Sequence, residues 1–320
     1  MQYTELGKTG LKVSVAGLGC GGSSRLGQST GKSTADSVAL VRAALDLGVN
    51  FIDTATAYGT EDIVGEAIRA VPRDTVVVST KALIKQGDTL LPASDVIASL
   101  EQSLRRLQTD YIDVFHLHAV QPRAYDYVRA ELVPALLKER DKGKIRHLGI
   151  TESPPNDAPQ AMLQRALQED DCWEVIMLGF HMLNQKARSK VFPHTQAKGI
   201  GTLLMFVVRS IFSVPGRLQD TLKELADAGQ VPAWLAQTDN PLGFLIHENG
   251  AASVIDAAYR FARHEPGTDV ILFGTGEQAH LQSNIDSILS PPLPREDVEK
   301  LYELFGELEG IGLDLPLRRS

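Results

Sequence analysis

Two cysteines, Cys20 and Cys172, are all that the 320-residue chain contains. That excludes a disulfide framework and fits a reducing compartment. No apolar run is long enough to span a bilayer. The amino terminus, Met1-Gln2-Tyr3-Thr4-Glu5, lacks the basic-then-apolar pattern of a secretory signal. A cytoplasmic location is expected. Positive charge is short as well: 32 Lys and Arg stand against 40 Asp and Glu, for a net charge of -8. No dense basic cluster suggests nucleic acid or an anionic membrane as partner, and no metal is expected. The dinucleotide fingerprint G-x-G-x-x-G is also missing. After the first apolar strand the chain reads Gly19-Cys20-Gly21-Gly22, which fails the spacing that an open doubly wound sheet usually shows.

What is present is a repeated unit. Hydrophobic content of 43% and charged content of 22% are ordinary for a globular protein. Residues 2 to 14 alternate polar and apolar around Lys8-Thr9-Gly10, which predicts a β-hairpin. Short apolar strands then recur at Val15 to Leu18, Val49 to Ile52, Thr75 to Thr80 and Tyr111 to Leu117. Four more are expected at Ile145 to Thr151, Glu174 to Gly179, Gly201 to Val208 and Asp269 to Phe273. Helices separate them. Ser33 with Asp36 marks one N-terminus, and Val38, Val41 and Leu45 follow at helical spacing. Further helices are expected near 61–70, 97–107, 129–142, 158–168, 185–198, 251–264 and 278–289, with an extra one near 295–308. Continuous apolar strands read as parallel and covered on both faces. Eight such units predict a closed (β/α)8 barrel, with an N-terminal hairpin and an extra C-terminal helix. With no linker or composition shift, residues 1–320 are expected to form a single domain.

Barrel active sites sit at the carboxyl ends of the strands. Three consecutive strands end in Asp53, Lys81 and His118, and Tyr58 lies just beyond the first. Consecutive strands are neighbours, so the four side chains can converge. A buried carboxylate needs a partner, and Lys81 supplies one. A free phenol has a pKa near ~10; a nearby ammonium is expected to lower it. The outcome is a tuned acid/base on Tyr58, with His118 orienting a substrate oxygen. Singly, each residue type is commonly structural; the joint placement carries the argument. His116 competes with His118 but sits deeper, and Asp113 begins its strand at the wrong end for catalysis.

At these residues the chain resembles the aldo-keto reductase superfamily over nearly its whole length. Phe51-Ile52-Asp53-Thr54-Ala55 with Tyr58-Gly59 looks like that family's first signature. Ser79-Thr80-Lys81 looks like its lysine strand, and Leu104-Arg105-Arg106-Leu107 through Tyr111-Ile112-Asp113-Val114 to His118 like its helix-to-strand signature. Gly143-Lys144-Ile145-Arg146-His147-Leu148-Gly149-Ile150 looks like the fifth strand. The resemblance implies a nicotinamide cofactor, NAD or NADP, and reduction of a small-molecule carbonyl or oxidation of the alcohol. It implies Asp53, Tyr58, Lys81 and His118 as the catalytic tetrad, with Tyr58 as general acid.

Cofactor positions depart from the family's pattern. Where members follow the fifth strand with Ser-Asn to hold the carboxamide, this chain has Thr151-Glu152. An ionised Glu152 accepts a hydrogen bond but cannot donate one. A glutamine on the sixth strand is replaced by Met177, and the stacking aromatic by Met205, with Phe206 beside it. Arg209 is a pyrophosphate candidate. Gly274, Thr275, Gly276, His280 and Asn284 fall in the segment that grips the adenosine phosphate. Gly276 stands where many members place a Lys or Arg for the 2'-phosphate, which tilts the reading toward NAD. The loops Ser23 to Lys32, Ala119 to Tyr127 and Ser210 to Asn249 are expected to set substrate choice, the last as a lid. Trp234 in that loop is expected either to wall the pocket or to anchor the loop. The competing reading is a cofactor-binding sensor or interaction subunit without turnover.

Overall fold

The structure, a computed structural model, describes residues 1–313. Eight parallel strands close into a barrel in chain order. Counting barrel strands only, these are β1 (Ala16–Gly19), β2 (Phe51–Asp53), β3 (Val77–Leu83) and β4 (Ile112–Val120). They continue as β5 (Ile145–Glu152), β6 (Val175–Gly179), β7 (Gly201–Met205) and β8 (Val270–Phe273). The ring closes where Ile271 of β8 pairs with Ala16 of β1.

Each strand faces two apolar layers, which is why its sequence is unbroken by polar residues. Phe51, Val77, Val114, Val175, Met177, Leu203 and Val270 point inward and form the barrel floor. Their neighbours in sequence, such as Ile52, Val78, Phe115 and Ile176, face the helices. The N-terminal hairpin, Tyr3–Glu5 paired with Lys12–Ser14, corks the floor. Its Leu6 and Val13 join the inner cluster. Each such side chain, once buried, stabilises by roughly 1.5–3 kcal/mol. Gly7, at φ +52°, packs so tightly that a Cβ there would lie 2.3 Å from the Gly201 nitrogen. Lys8 N–H donates to the Gly199 carbonyl at 2.7 Å, fixing the cork to β7.

Helix α1 (Thr34–Asp46) begins with the expected capping box of Ser33 and Asp36. Helix α2 (Glu61–Ile68) and helix α3 (Ala93–Leu107) follow. Several other helices differ from expectation for local reasons. The helix preceding β5 passes through a π turn at Val128–Leu132 before running on as α4 (Val133–Asp141). Pro134 has no N–H to return to the carbonyl four residues back, which favours the wider turn. The helix expected over 185–198 is broken at Val191 into Ala187–Lys190 and α5 (Phe192–Lys198), with Pro193 in the first turn of the second piece. Strand β7 stops at Met205 rather than Val208 because Phe206 takes a left-handed φ of +69°. No helix among the described residues is long and apolar enough to cross a membrane.

The 210–249 segment carries the helix Arg217–Asp227, and Leu218, Leu222, Leu225, Leu235, Leu242 and Leu245 are all buried. Trp234 is 43% exposed; the Lys300 Nζ lies 5.5 Å from its ring centre and 4.2 Å from that of Phe244. This ties the segment to the final helix, Arg295–Phe305.

Candidate active site

Strand register gathers the site. Gly19 pairs with Asp53, Asp53 with Ser79, and Lys81 with His116. Inward-facing residues alternate, so Asp53, Lys81 and His118 share the barrel interior near its mouth. Strands β3 and β4 run past Lys81 and His118, which therefore lie inside the strands rather than at their ends. Rigid backbone on both sides suits residues that must hold a fixed geometry.

Lys81 is fully buried and donates to both Asp53 carboxylate oxygens, at 2.8 and 2.7 Å, and to the Thr54 carbonyl at 2.8 Å. The ammonium also hydrogen-bonds the Tyr58 hydroxyl. Ser79, two residues earlier on the same face, donates to Asp53 at 2.8 Å. Burial works against the ammonium, but the Asp53 carboxylate and the Tyr58 phenol outweigh it and hold the Lys81 pKa above the ordinary range. The Lys81 Nζ lies 5.0 Å from the centre of the Tyr58 ring. The His118 ring meets that ring edge-on, centres 5.6 Å apart at 86°. Burial, with the Lys81 charge, pushes His118 down to about 3, so its imidazole is neutral.

Tyr58 departs from expectation in one respect. Burial raises its pKa by more than Lys81 lowers it, so the net shift is upward. The phenol keeps its proton at neutral pH and is set up as a donor. Its ring lies against Gly21, where a Cβ would come within 2.5 Å of ring carbon Cε2. Gly21 and Ser79 were not singled out from the sequence. The glycine run after β1 and the alternation of β3 were the signals that pointed to them.

His116 is fully buried below this group, and Gly149 makes room for it, since a Cβ there would lie 2.2 Å from the ring. Burial keeps it neutral too. Asp113, at the opposite barrel end, pairs with Arg73 at 2.7 Å and Arg146 at 3.0 Å. Both guanidinium groups flank the Tyr111 ring, at 4.2 and 4.0 Å. That cluster is structural.

At the end of β5, the Thr151 hydroxyl accepts the Ala119 N–H at 2.7 Å, and no described residue takes its own proton. Glu152 is buried, and one oxygen accepts from Gly179 N–H at 2.6 Å and Gln160 Nε2 at 3.3 Å. Its carboxyl thus extends the ladder between β5 and β6 past the last backbone pair, Thr151 with Met177. Its other oxygen is buried without a partner among the described residues. Burial lifts this carboxyl to about 8. A neutral Glu152 can donate a hydrogen bond, contrary to the expectation drawn for its ionised form.

The aldo/keto reductase family model matches residues 18–305. The chain belongs to this family. L-galactose dehydrogenase of Arabidopsis thaliana is 36% identical over 210 residues, covering 63% of this chain and 64% of that protein. The match therefore spans a little under two-thirds of that relative's length. Aldo-keto reductase YhdN of Bacillus subtilis (strain 168) is 30% identical over 303 residues, 88% of this chain and 87% of the relative. Aldo-keto reductase AKR11C1 from Bacillus halodurans, holo form, superposes with a TM-score of 0.74 at 22% identity, covering 98% of this chain and 100% of that one. That last likeness is one of fold.

Aldo-keto reductases are nicotinamide-dependent oxidoreductases, and this aldo-keto reductase has groups that fit the cofactor. The helix Gln278–Leu289 starts without a side-chain cap, leaving N–H groups for a phosphate. Thr151 and the unpartnered Glu152 oxygen suit a carboxamide. Gly274 and His280 are exposed, Asn284 is half-buried, and Thr275 is held by Glu277 N–H at 3.0 Å. Met177 lies in the inner cluster and Met205 packs against it. The Arg209 guanidinium lies 4.0 Å from the centre of the Phe206 ring. Gly276 has a packing reason that the sequence hid: a Cβ would lie 2.6 Å from the Gly27 Cα. A larger residue there would displace the Ser23 to Lys32 loop.

The elevated Glu152 carboxyl carries a stability consequence. The unfolded chain releases this proton near the ordinary value of 4.5, whereas the folded chain holds it to about 8. Stability is therefore lost as pH rises through that window. Glu152→Gln keeps an acceptor for Gly179 and cannot ionise. The variant is expected to be more stable than wild type by on the order of 5 kcal/mol above pH 8, the gap closing below about pH 4.5. Urea denaturation across pH measures it; a gap independent of pH would contradict the assignment.

Proposed function

We propose that this chain interconverts a small-molecule carbonyl and its alcohol, with Tyr58 moving the proton. The observation that carries the reading is the convergence of Tyr58, Lys81, Asp53 and His118 at the mouth of one closed barrel. When bound, the nicotinamide supplies or takes up the hydride. Tyr58, protonated at neutral pH, donates to the carbonyl oxygen. Lys81, held charged by Asp53, offsets the negative charge left on the phenol oxygen. The neutral His118 hydrogen-bonds the substrate oxygen and orients it. Asp53, Ser79 and the Thr54 carbonyl fix the ammonium.

Similarity to a protein named L-galactose dehydrogenase supports an aldose as substrate. NAD is favoured over NADP because Gly276 stands where many members place a Lys or Arg for the 2'-phosphate, and the Lys32 ammonium nearby is already paired with Glu277 at 3.2 Å. The test is fluorescence titration with NADH and NADPH, then turnover of a generic aldehyde and a panel of aldoses. Turnover, with an NADH KM at least about tenfold below that for NADPH, is expected. Binding without turnover would replace the enzyme reading with a sensor. A strong NADPH preference would overturn the use made of Gly276.

A further inference from the structure

The barrel ladder has one shift of register, between β4 and β5. Leu117 pairs with Ile150 and Val120 with Glu152. Two residues, His118 and Ala119, therefore stand opposite the single Thr151. An inserted residue of this kind bends its strand and re-aims the side chain beside it. Ala119 takes φ +55°, which alanine adopts only where its surroundings impose it. The Ala119 N–H has lost its place in the regular ladder and must find an acceptor. It finds the Thr151 hydroxyl at 2.7 Å, on a side chain that is 1% exposed.

His118 is the residue immediately before this strained one. Its Nδ1 is buried without a hydrogen-bond partner among the described residues. No carboxylate or carbonyl steers the ring through that atom, as commonly happens for working histidines. What aims the imidazole at Tyr58 is the backbone beneath it.

We propose that Thr151 is a positioning residue for His118: by accepting the Ala119 N–H it holds the bulge, and the bulge sets the angle at which the imidazole meets the Tyr58 ring. This goes beyond a carboxamide contact for Thr151. Only its kinetic arm rests on the proposed carbonyl chemistry. Threonine suits the task because its branched side chain is stiff about χ1 and presents the hydroxyl in a fixed direction. Serine retains the acceptor; valine retains the shape and loses it.

Thr151→Val and Thr151→Ser separate these contributions. The first arm uses the protein without ligands. The His118 imidazole signals, assigned by their loss in His118→Gln, and the exchange rate of the Ala119 amide are followed by NMR. In Thr151→Val the imidazole signals are expected to move and the amide to exchange at least about tenfold faster. Thr151→Ser is expected to restore both. In the second arm, Thr151→Val is expected to lower kcat by about 10- to 100-fold. Again serine restores the wild-type value. Unmoved His118 signals in Thr151→Val would overturn the inference. So would failure of serine to restore them, or an unchanged kcat in Thr151→Val. If wild type turns nothing over, the functional reading falls and the first arm still decides this one.

Discussion

Tyr58→Phe is expected to lower kcat for carbonyl reduction by roughly 10²–10⁴-fold, the range that a positioned general acid supplies. Cofactor affinity and melting temperature should barely change. The ring that packs against Gly21 and meets His118 edge-on is retained, so only the hydroxyl is lost. Burial keeps that hydroxyl protonated across neutral pH, which makes its removal a direct deletion of the donor. A single-turnover measurement with NADH bound separates chemistry from product release. If the variant reduces aldehydes at the wild-type rate, Tyr58 has no part in the proton transfer.

The second large effect is on stability. Lys81→Met removes the ammonium from a carboxylate that is 3% exposed, and also leaves the Thr54 carbonyl without its donor. Breaking a buried ion pair from one side costs about 3–5 kcal/mol, because the remaining charge has nowhere to go. Asp53 would retain only the Ser79 hydroxyl among its side-chain partners. The double variant Asp53→Asn with Lys81→Met should recover much of that loss, since a neutral amide tolerates burial better. Activity should stay low in both. Denaturant melts of the four members of this cycle measure the coupling. Equal stability of Lys81→Met and wild type would mean that the pair is not buried as described.

Much of this was written in local pattern. Unbroken apolar runs announced the strands, and polar residues at their upper ends announced the tetrad. Ser33 and Asp36 formed the capping box that their spacing required. The features that could not be read share a cause. Left-handed backbone at Ala119 and Phe206 is imposed by tertiary neighbours on residue types that do not prefer it. Glu152 reads as an ionised acceptor until the β6 backbone is placed beside it and burial is seen to lift its carboxyl to about 8. The lysine strand ran two residues beyond Lys81, because pairing with β4 continues to Leu83 and His118. At Gly276 the sequence could not show the crowding by Gly27.

The hairpin that corks the floor and the seam joining β8 to β1 impose an order on synthesis. Residues 3–19 leave the ribosome well before their partners at Gly199, Gly201 and Ile271. At typical translation speeds of about 5–20 residues per second, the opening segment waits roughly 10–50 s for the strand that completes its ring. Until then the β1 edge that Ile271, Leu272 and Phe273 later cover lacks its native neighbour.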